Sequence, residues 1–275
     1  DDRTDEMVAA YRERIAAEPD RLSWREGLSR FFLERGDQDK AEAVWTNFVE
    51  GDDLGAGVFD EETLLLGFSI LSDLGLDDLA IASANRAIEM KRGHLSACLH
   101  LFNLHQERGR LDLAEAALEK LAEMAAPDEP ARLDLAEAWE RLGRLDRAVE
   151  VLEGIVEVRG AAESGEDLAM HLAWLYSEVG DEEKAMDSWL ELWTRINALS
   201  RRRYVEDRLM TVASRLGTLA DIAIDLEQKL LDGSADERET GLLVRLYSKV
   251  GDPVSASEII DEFLKLKGGS ELEAL

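Results

Sequence analysis

With 275 residues, 60 of them acidic and 32 basic, the chain carries a formal charge of −28 at neutral pH. So anionic a surface repels phosphate backbones and anionic headgroups, which argues against the nucleic-acid-binding and membrane-surface classes that depend on basic patches. No run approaches the roughly 18 consecutive apolar residues of a membrane span, and a chain with 20 Gly, 4 Pro and 45% hydrophobic residues lacks the strand alternation and turn density of a sheet protein, so an all-α fold is expected.

The first predicted helix covers 4–18, where Met7, Tyr11 and Ile15 fall at helical spacing and Pro19-Asp20 break the pattern. A helix pair follows over 22–49, with Leu28 and Phe32 before Gly36 and Ala41, Trp45 and Phe48 after it. Residues 50–60 form an insertion rich in Gly and Asp. It lacks the Gly-Lys-Ser/Thr of a phosphate cradle and the Asp-x-Asp-x-Asp-Gly order of a calcium loop, and reads as a surface loop. Further pairs are predicted over 61–91, 95–125 and 129–158, the last carrying Leu135, Trp139, Leu142, Ala148, Leu152 and Ile155 around Gly143. A lengthened turn at 159–165 precedes the pair over 166–197, with Leu172, Tyr176, Ala185, Trp189 and Leu192. Before the pair over 203–232, Ser200 is a candidate N-cap, and Arg201, Arg202 and Arg203 then crowd a first turn where the helix dipole disfavours cations. Either they pair with acids such as Glu206 and Asp207, or they dock an acidic partner. The last pair covers 237–267, and Gly268-Gly269-Ser270 is expected to end it. No polar capping helix is evident at either end, which suggests a segment of a longer array.

These pairs are periodic. Gly36, Gly75, Gly109, Gly143, Gly180, Gly217 and Gly251 recur at intervals of 39, 34, 34, 37, 37 and 34 residues. Ala41, Ala80, Ala114, Ala148, Ala185 and Ala256 stand five positions after six of them, with Ile222 in the remaining place. A glycine between two helical runs supplies the left-handed backbone that ends a helix, and a small residue five positions on lets the next helix approach closely. The residues and their offsets resemble the tetratricopeptide repeat (TPR) family from about Leu22 to Leu266. That resemblance implies a right-handed α-solenoid of about seven TPR helix-turn-helix units, a single solenoid over 1–275. Phe68, Phe102 and Met210 depart from the family's small residue, and His105 and Ala213 from its aromatic, which predicts locally altered packing.

Nothing in the chain reads as chemistry. His94, His100, His105 and His171 lack zinc-like spacing, His105 is expected to be a satisfied interior imidazole, and the lone Cys98 a buried thiol. Neither a nucleophile elbow nor a Ser/His/Asp set is present, so no enzyme activity, cofactor or metal is expected. Adjacent acids such as Glu182-Glu183 suit helix starts.

The resemblance implies a binding groove lined by the first helix of each unit. The positions it points to are Asn103, Glu107, Glu137, Glu140, Met170, Trp174, Tyr204 and Arg245, with the Arg201–Arg203 cluster beside them. Such a groove is expected to be acidic in its middle, suited there to a cationic peptide, and basic at its end through Arg238, Arg245 and Lys249. The family's carboxylate clamp is not matched, since only Asn103 fits. Trp174 and Tyr204 are either partner anchors or packing against the adjacent unit, whereas Trp24, Trp45, Trp139, Trp189 and Trp193 are expected in the core. The function this implies is a protein-binding scaffold. In style the chain is similar to the PelB-like periplasmic scaffolds of exopolysaccharide export, whose partner would be a polysaccharide-modifying enzyme. A regulatory TPR module of a multidomain enzyme or signalling protein, and a cytoplasmic setting, are the alternatives.

Overall fold

The structure, a computed structural model, describes residues 2–51, 59–90, 94–126, 130–160 and 165–272. Most of the insertion (52–58) and of the lengthened turn (161–164) lies outside the described residues. Those described form sixteen helices and no strand: α1 (Asp2–Ala17), α2 (Ser23–Leu33), α3 (Gln38–Ala43), α4 (Thr46–Glu50), α5 (Glu61–Asp73), α6 (Asp77–Glu89), α7 (His94–Glu107), α8 (Leu111–Met124), α9 (Pro130–Arg141), α10 (Leu145–Arg159), α11 (Gly165–Val179), α12 (Glu182–Arg195), α13 (Leu199–Leu216), α14 (Leu219–Leu231), α15 (Glu237–Lys249) and α16 (Pro253–Leu272). They fall into two compact units, 1–151 and 152–275, divided within α10.

The periodic glycines make the junctions. All seven have φ between +68° and +84°, the left-handed region that only glycine enters without strain. The residue after each one donates its N–H to the carbonyl five positions upstream, as Leu76 does to Leu71, Arg144 to Trp139, Asp181 to Tyr176 and Asp252 to Tyr247, each at 2.9 Å. Its own carbonyl then accepts the first bond of the next helix, from Ala80 to Leu76 at 3.0 Å and from Ala185 to Asp181 at 2.9 Å. One residue therefore closes one helix and opens the next. The alanines sit where the helices meet: Ala41, Ala80, Ala114, Ala148 and Ala185 are 0% exposed and Ala256 6%.

In the first unit α1 packs on α2, α2 on α3, α5 on α6, α6 on α7, α7 on α8 and α8 on α9, the nearest-neighbour packing of an α-solenoid, while the short α4 packs on α6. The second helix of the first pair departs from expectation by breaking into α3 and α4 at Val44 and Trp45. There the N–H groups of Val44 and Trp45 reach back only three residues, to Ala41 and Glu42, at 3.3 and 2.9 Å. The freed Val44 carbonyl accepts a 2.7 Å bond from the guanidinium of Arg25, a residue 3% exposed on α2. Trp45, 0% exposed, donates through Nε1 to Ser29 Oγ at 2.8 Å, and Ser29 Oγ donates to the Ala41 carbonyl at 3.3 Å. A buried polar chain thus satisfies the carbonyls near the break. Close by, α5 approaches α4 so tightly that a Cβ on Gly67 would lie 2.5 Å from the Phe48 ring. Trp24 is a correction to the expected core: it is half-buried, edge-on to Tyr11 with Arg21 over its face.

Phe68 and Phe102 are both buried, Phe68 beside the His100 ring at 5.2 Å and Phe102 beneath the Arg141 guanidinium at 4.9 Å. His105 is interior too, but not satisfied: its buried Nδ1 has no hydrogen-bond partner among the described residues. Burial, and then Arg110, pull its pKa below the ordinary imidazole value, while Asp77, which is bonded to both Arg108 and Arg110, pulls the other way. Burial lowers His100 similarly. A depressed histidine contributes stability that is complete above about pH 6.5, the unfolded value, and that is lost as pH falls through the folded one. His105→Phe restores the aromatic that the repeat pattern expects. It should raise stability at pH 7 by about 1 kcal/mol and flatten the fall towards pH 5, both read from urea midpoints. An unchanged acid slope would show that His105 does not carry it.

In the second unit α11 packs on α12, α12 on α13, α13 on α14, α14 on α15 and α15 on α16. Trp189, Leu192, Trp193 and Ile196 line its interior with Val205, Leu209 and Ala213. Two expectations are corrected. Helix α13 starts at Leu199, its N-cap is Ala198, and Ser200 lies inside the first turn without a capping role. Helix α16 does not stop at Gly268 but continues to Leu272.

Candidate binding face on α11 and α13

Helical spacing places Glu166, Met170 and Trp174 on one stripe of α11, and Arg201, Tyr204 and Arg208 on one stripe of α13. Met170, Trp174, Arg201 and Tyr204 line a single hollow of about 500 Å³, together with His171 and Ser200. Trp174 is half-buried and lies 6.0 Å from the His171 ring. Tyr204 is 38% exposed; its ring stands edge-on against the wholly buried Trp189 at 6.0 Å, so the core fixes its position while one face stays open. Arg208 lies over that ring at 5.1 Å. His171 and Ser200 were not among the expected groove positions: Ser200 reads from the sequence as an N-cap, and His171 as one of four histidines without zinc-like spacing.

The arginine cluster is divided among different tasks. Arg201 reaches back to α11 and meets Glu166 and Asp167, each at 3.1 Å. These exposed pairs add little stability but orient the guanidinium. Arg202 donates to the Ile196 and Asn197 carbonyls at 3.4 and 3.1 Å, just beyond the C-terminal end of α12, where a cation is favoured. Arg203 is exposed on the same turn. The acids expected to neutralise the cluster serve Arg245 instead: Glu206 is 2.5 Å and Asp207 2.7 Å from its guanidinium.

Of the three cations expected at a basic groove end, Arg238 and Arg245 are engaged within the fold, while Lys249 is exposed. Arg245 is a tie between α15 and α13. Arg238 donates to the Trp193 and Thr194 carbonyls at 2.9 and 2.6 Å and to Asn197 Oδ1 at 3.0 Å, capping α12. Arg215 holds Glu182 and the Ser177 carbonyl, each at 3.1 Å. In the first unit Asn103 is likewise spent on structure, since its Oδ1 accepts a 3.0 Å bond from Arg141, which also donates to Gln106 at 2.5 Å. Glu107 and Glu137 are exposed and Glu140 is half-buried. Of the positions expected from the sequence, Met170, Trp174, Arg201 and Tyr204 on α11 and α13 share one hollow among the described residues. Among the described residues no group of three or more His, Cys, Asp or Glu is placed to hold a metal, and no helix is long and apolar enough to cross a membrane.

Residues 107–163 match the family model described as tetratricopeptide repeat. No curated protein matches the chain. Solved structures that resemble it include the C-terminal part of a TPR repeat-containing protein from Cytophaga hutchinsonii, at 15% identity and a TM-score of 0.43 over 95% of this chain and 89% of that one. A tetratricopeptide repeat protein from Parabacteroides merdae is similar at 16% identity and a TM-score of 0.40, covering 94% and 98%. The MamA protein is similar at 14% and 0.39, covering 66% and 96%. These likenesses are too distant to add to the helix pairing described above.

Proposed function

We propose that the chain is a non-enzymatic scaffold that holds a segment of a protein partner on the face formed by α11 and α13. The observation that supports this is the hollow at Met170, His171, Trp174, Ser200, Arg201 and Tyr204: a volume suited to one large side chain, walled by aromatics and methionine, with polar groups at its edge. Half-buried Trp174 and exposed Tyr204 carry contact area that the core does not use, as anchors for a partner do. Panning a phage-displayed random peptide library against the whole chain should enrich sequences sharing a large apolar residue. Trp174→Ala should weaken the enriched peptides about tenfold or more with little change in thermal midpoint. A large stability loss with unchanged affinity would reassign Trp174 to packing.

Within this class, a place in a periplasmic exopolysaccharide-export assembly, with a polysaccharide-modifying enzyme as partner, rests on sequence style alone. Co-purification from the native cell with such an enzyme, lost in Trp174→Ala, is its test.

A further inference from the structure

The chemistry of the bound segment can be read from the charges around the hollow, an inference that rests on the binding face proposed above. The acids near that face are committed. Glu166 and Asp167 hold Arg201, Glu206 and Asp207 hold Arg245, and Glu182 holds Arg215. On α11 only Glu178, one turn beyond Trp174, stands exposed beside them. Two cations on α13 are left over. Arg208 rests on the Tyr204 ring with no carboxylate or hydrogen-bond acceptor among the described residues, and exposed Arg203 has no side-chain partner there either. Stacking on an aromatic face leaves the in-plane N–H donors of a guanidinium unused.

In a chain with 60 acids to 32 bases, arginines find carboxylates readily, as those at 108, 144, 201, 215 and 245 do. Two unpaired guanidinium groups on the helix that walls an aromatic hollow bring the six arginines here, at 201, 202, 203, 208, 215 and 245, level with the six acids at 166, 167, 178, 182, 206 and 207, and leave the positive charges without partners on α13 itself. A basic segment would meet Arg201, Arg203 and Arg208, whereas an acidic one would supply what two of them lack. We infer that the segment held at this face is acidic: a large apolar side chain enters the hollow, and carboxylates flanking it pair with Arg208 and Arg203.

The test uses three fluorescein-labelled synthetic peptides of equal length: one rich in Asp and Glu around a central Phe, its Lys- and Arg-rich counterpart, and the acidic peptide with Phe replaced by Ser. Anisotropy against the whole chain should show the first binding at least about tenfold more tightly than either other, and weakening as salt rises. Arg203→Glu and Arg208→Glu should each weaken it about three- to tenfold and together flatten its salt dependence. Exposed, unpaired Arg203 can be reversed without disturbing the fold, which an unchanged melting curve verifies. If the basic peptide binds more tightly and is lost in Trp174→Ala, the face stands and the acidic inference falls. If no peptide's binding responds to Trp174→Ala, the face is rejected and the inference with it.

Discussion

Trp45→Ala is expected to cost the first unit about 3–5 kcal/mol. The side chain is wholly buried, stands edge-on to Phe48 at 5.5 Å, and donates to Ser29, which in turn serves the Ala41 carbonyl beside the helix break. Removing the indole leaves a cavity at the point where α2, α3 and α4 meet. It also removes the donor to Ser29, leaving the break held by Arg25 and by the bond from Ser29 to the Ala41 carbonyl. Trp45→Phe keeps part of the volume and leaves Ser29 its bond to Ala41, so its cost should be about 1–2 kcal/mol. Trp24→Ala supplies the control, since that ring is half-buried and packs against Tyr11 and Arg21; a loss of about 1 kcal/mol is expected. Urea midpoints followed by far-UV circular dichroism would rank the three. Equal costs for Trp45→Ala and Trp24→Ala would show that the break does not depend on the buried ring.

The contrast between these tryptophans shows what was legible in the sequence. The junctions were, because each depends on a few adjacent residues: a glycine that must enter the left-handed region, a neighbour that closes one helix and opens the next, and an alanine that permits close approach. The same local rule sets helical register, which is why Met170, Trp174 and Tyr204 could be placed on first-helix faces from their offsets to Gly180 and Gly217. Features that depend on distant partners were not legible. The α3–α4 break rests on Arg25, 19 residues from the carbonyl it serves, and the tasks of Arg215, Arg238 and Arg245 involve partners 33–45 residues away. An arginine side chain reaches across a helix pair in several directions, and only packed geometry decides which acid or carbonyl it meets. For that reason the cluster at 201–203, which looked like one patch, separates into a tie, a cap and one unengaged cation.

Arg245, expected from the sequence to contact a partner, should instead be needed for folding of the second unit. Its guanidinium is the charged partner of Glu206, a carboxylate on α13 whose side chain is 6% exposed, and whose other oxygen accepts from Trp193 Nε1 at 3.4 Å. Arg245→Met keeps much of the aliphatic stem but leaves that carboxylate buried against one long neutral donor. Breaking such a pair from one side is costly because the remaining charge stays desolvated, and a loss of about 2–4 kcal/mol is expected. Glu206→Gln in the same chain removes the stranded charge while preserving an acceptor for Trp193, so the double variant should recover at least half of the loss. The Asp207 side of the contact is exposed, and Asp207→Asn should change stability by less than about 1 kcal/mol. Thermal or urea unfolding of the three variants decides the matter. A destabilised Arg245→Met rescued by Glu206→Gln assigns Arg245 to the tie between α15 and α13. A fully stable Arg245→Met that loses affinity for peptides selected on the α11–α13 face would return it to the binding surface.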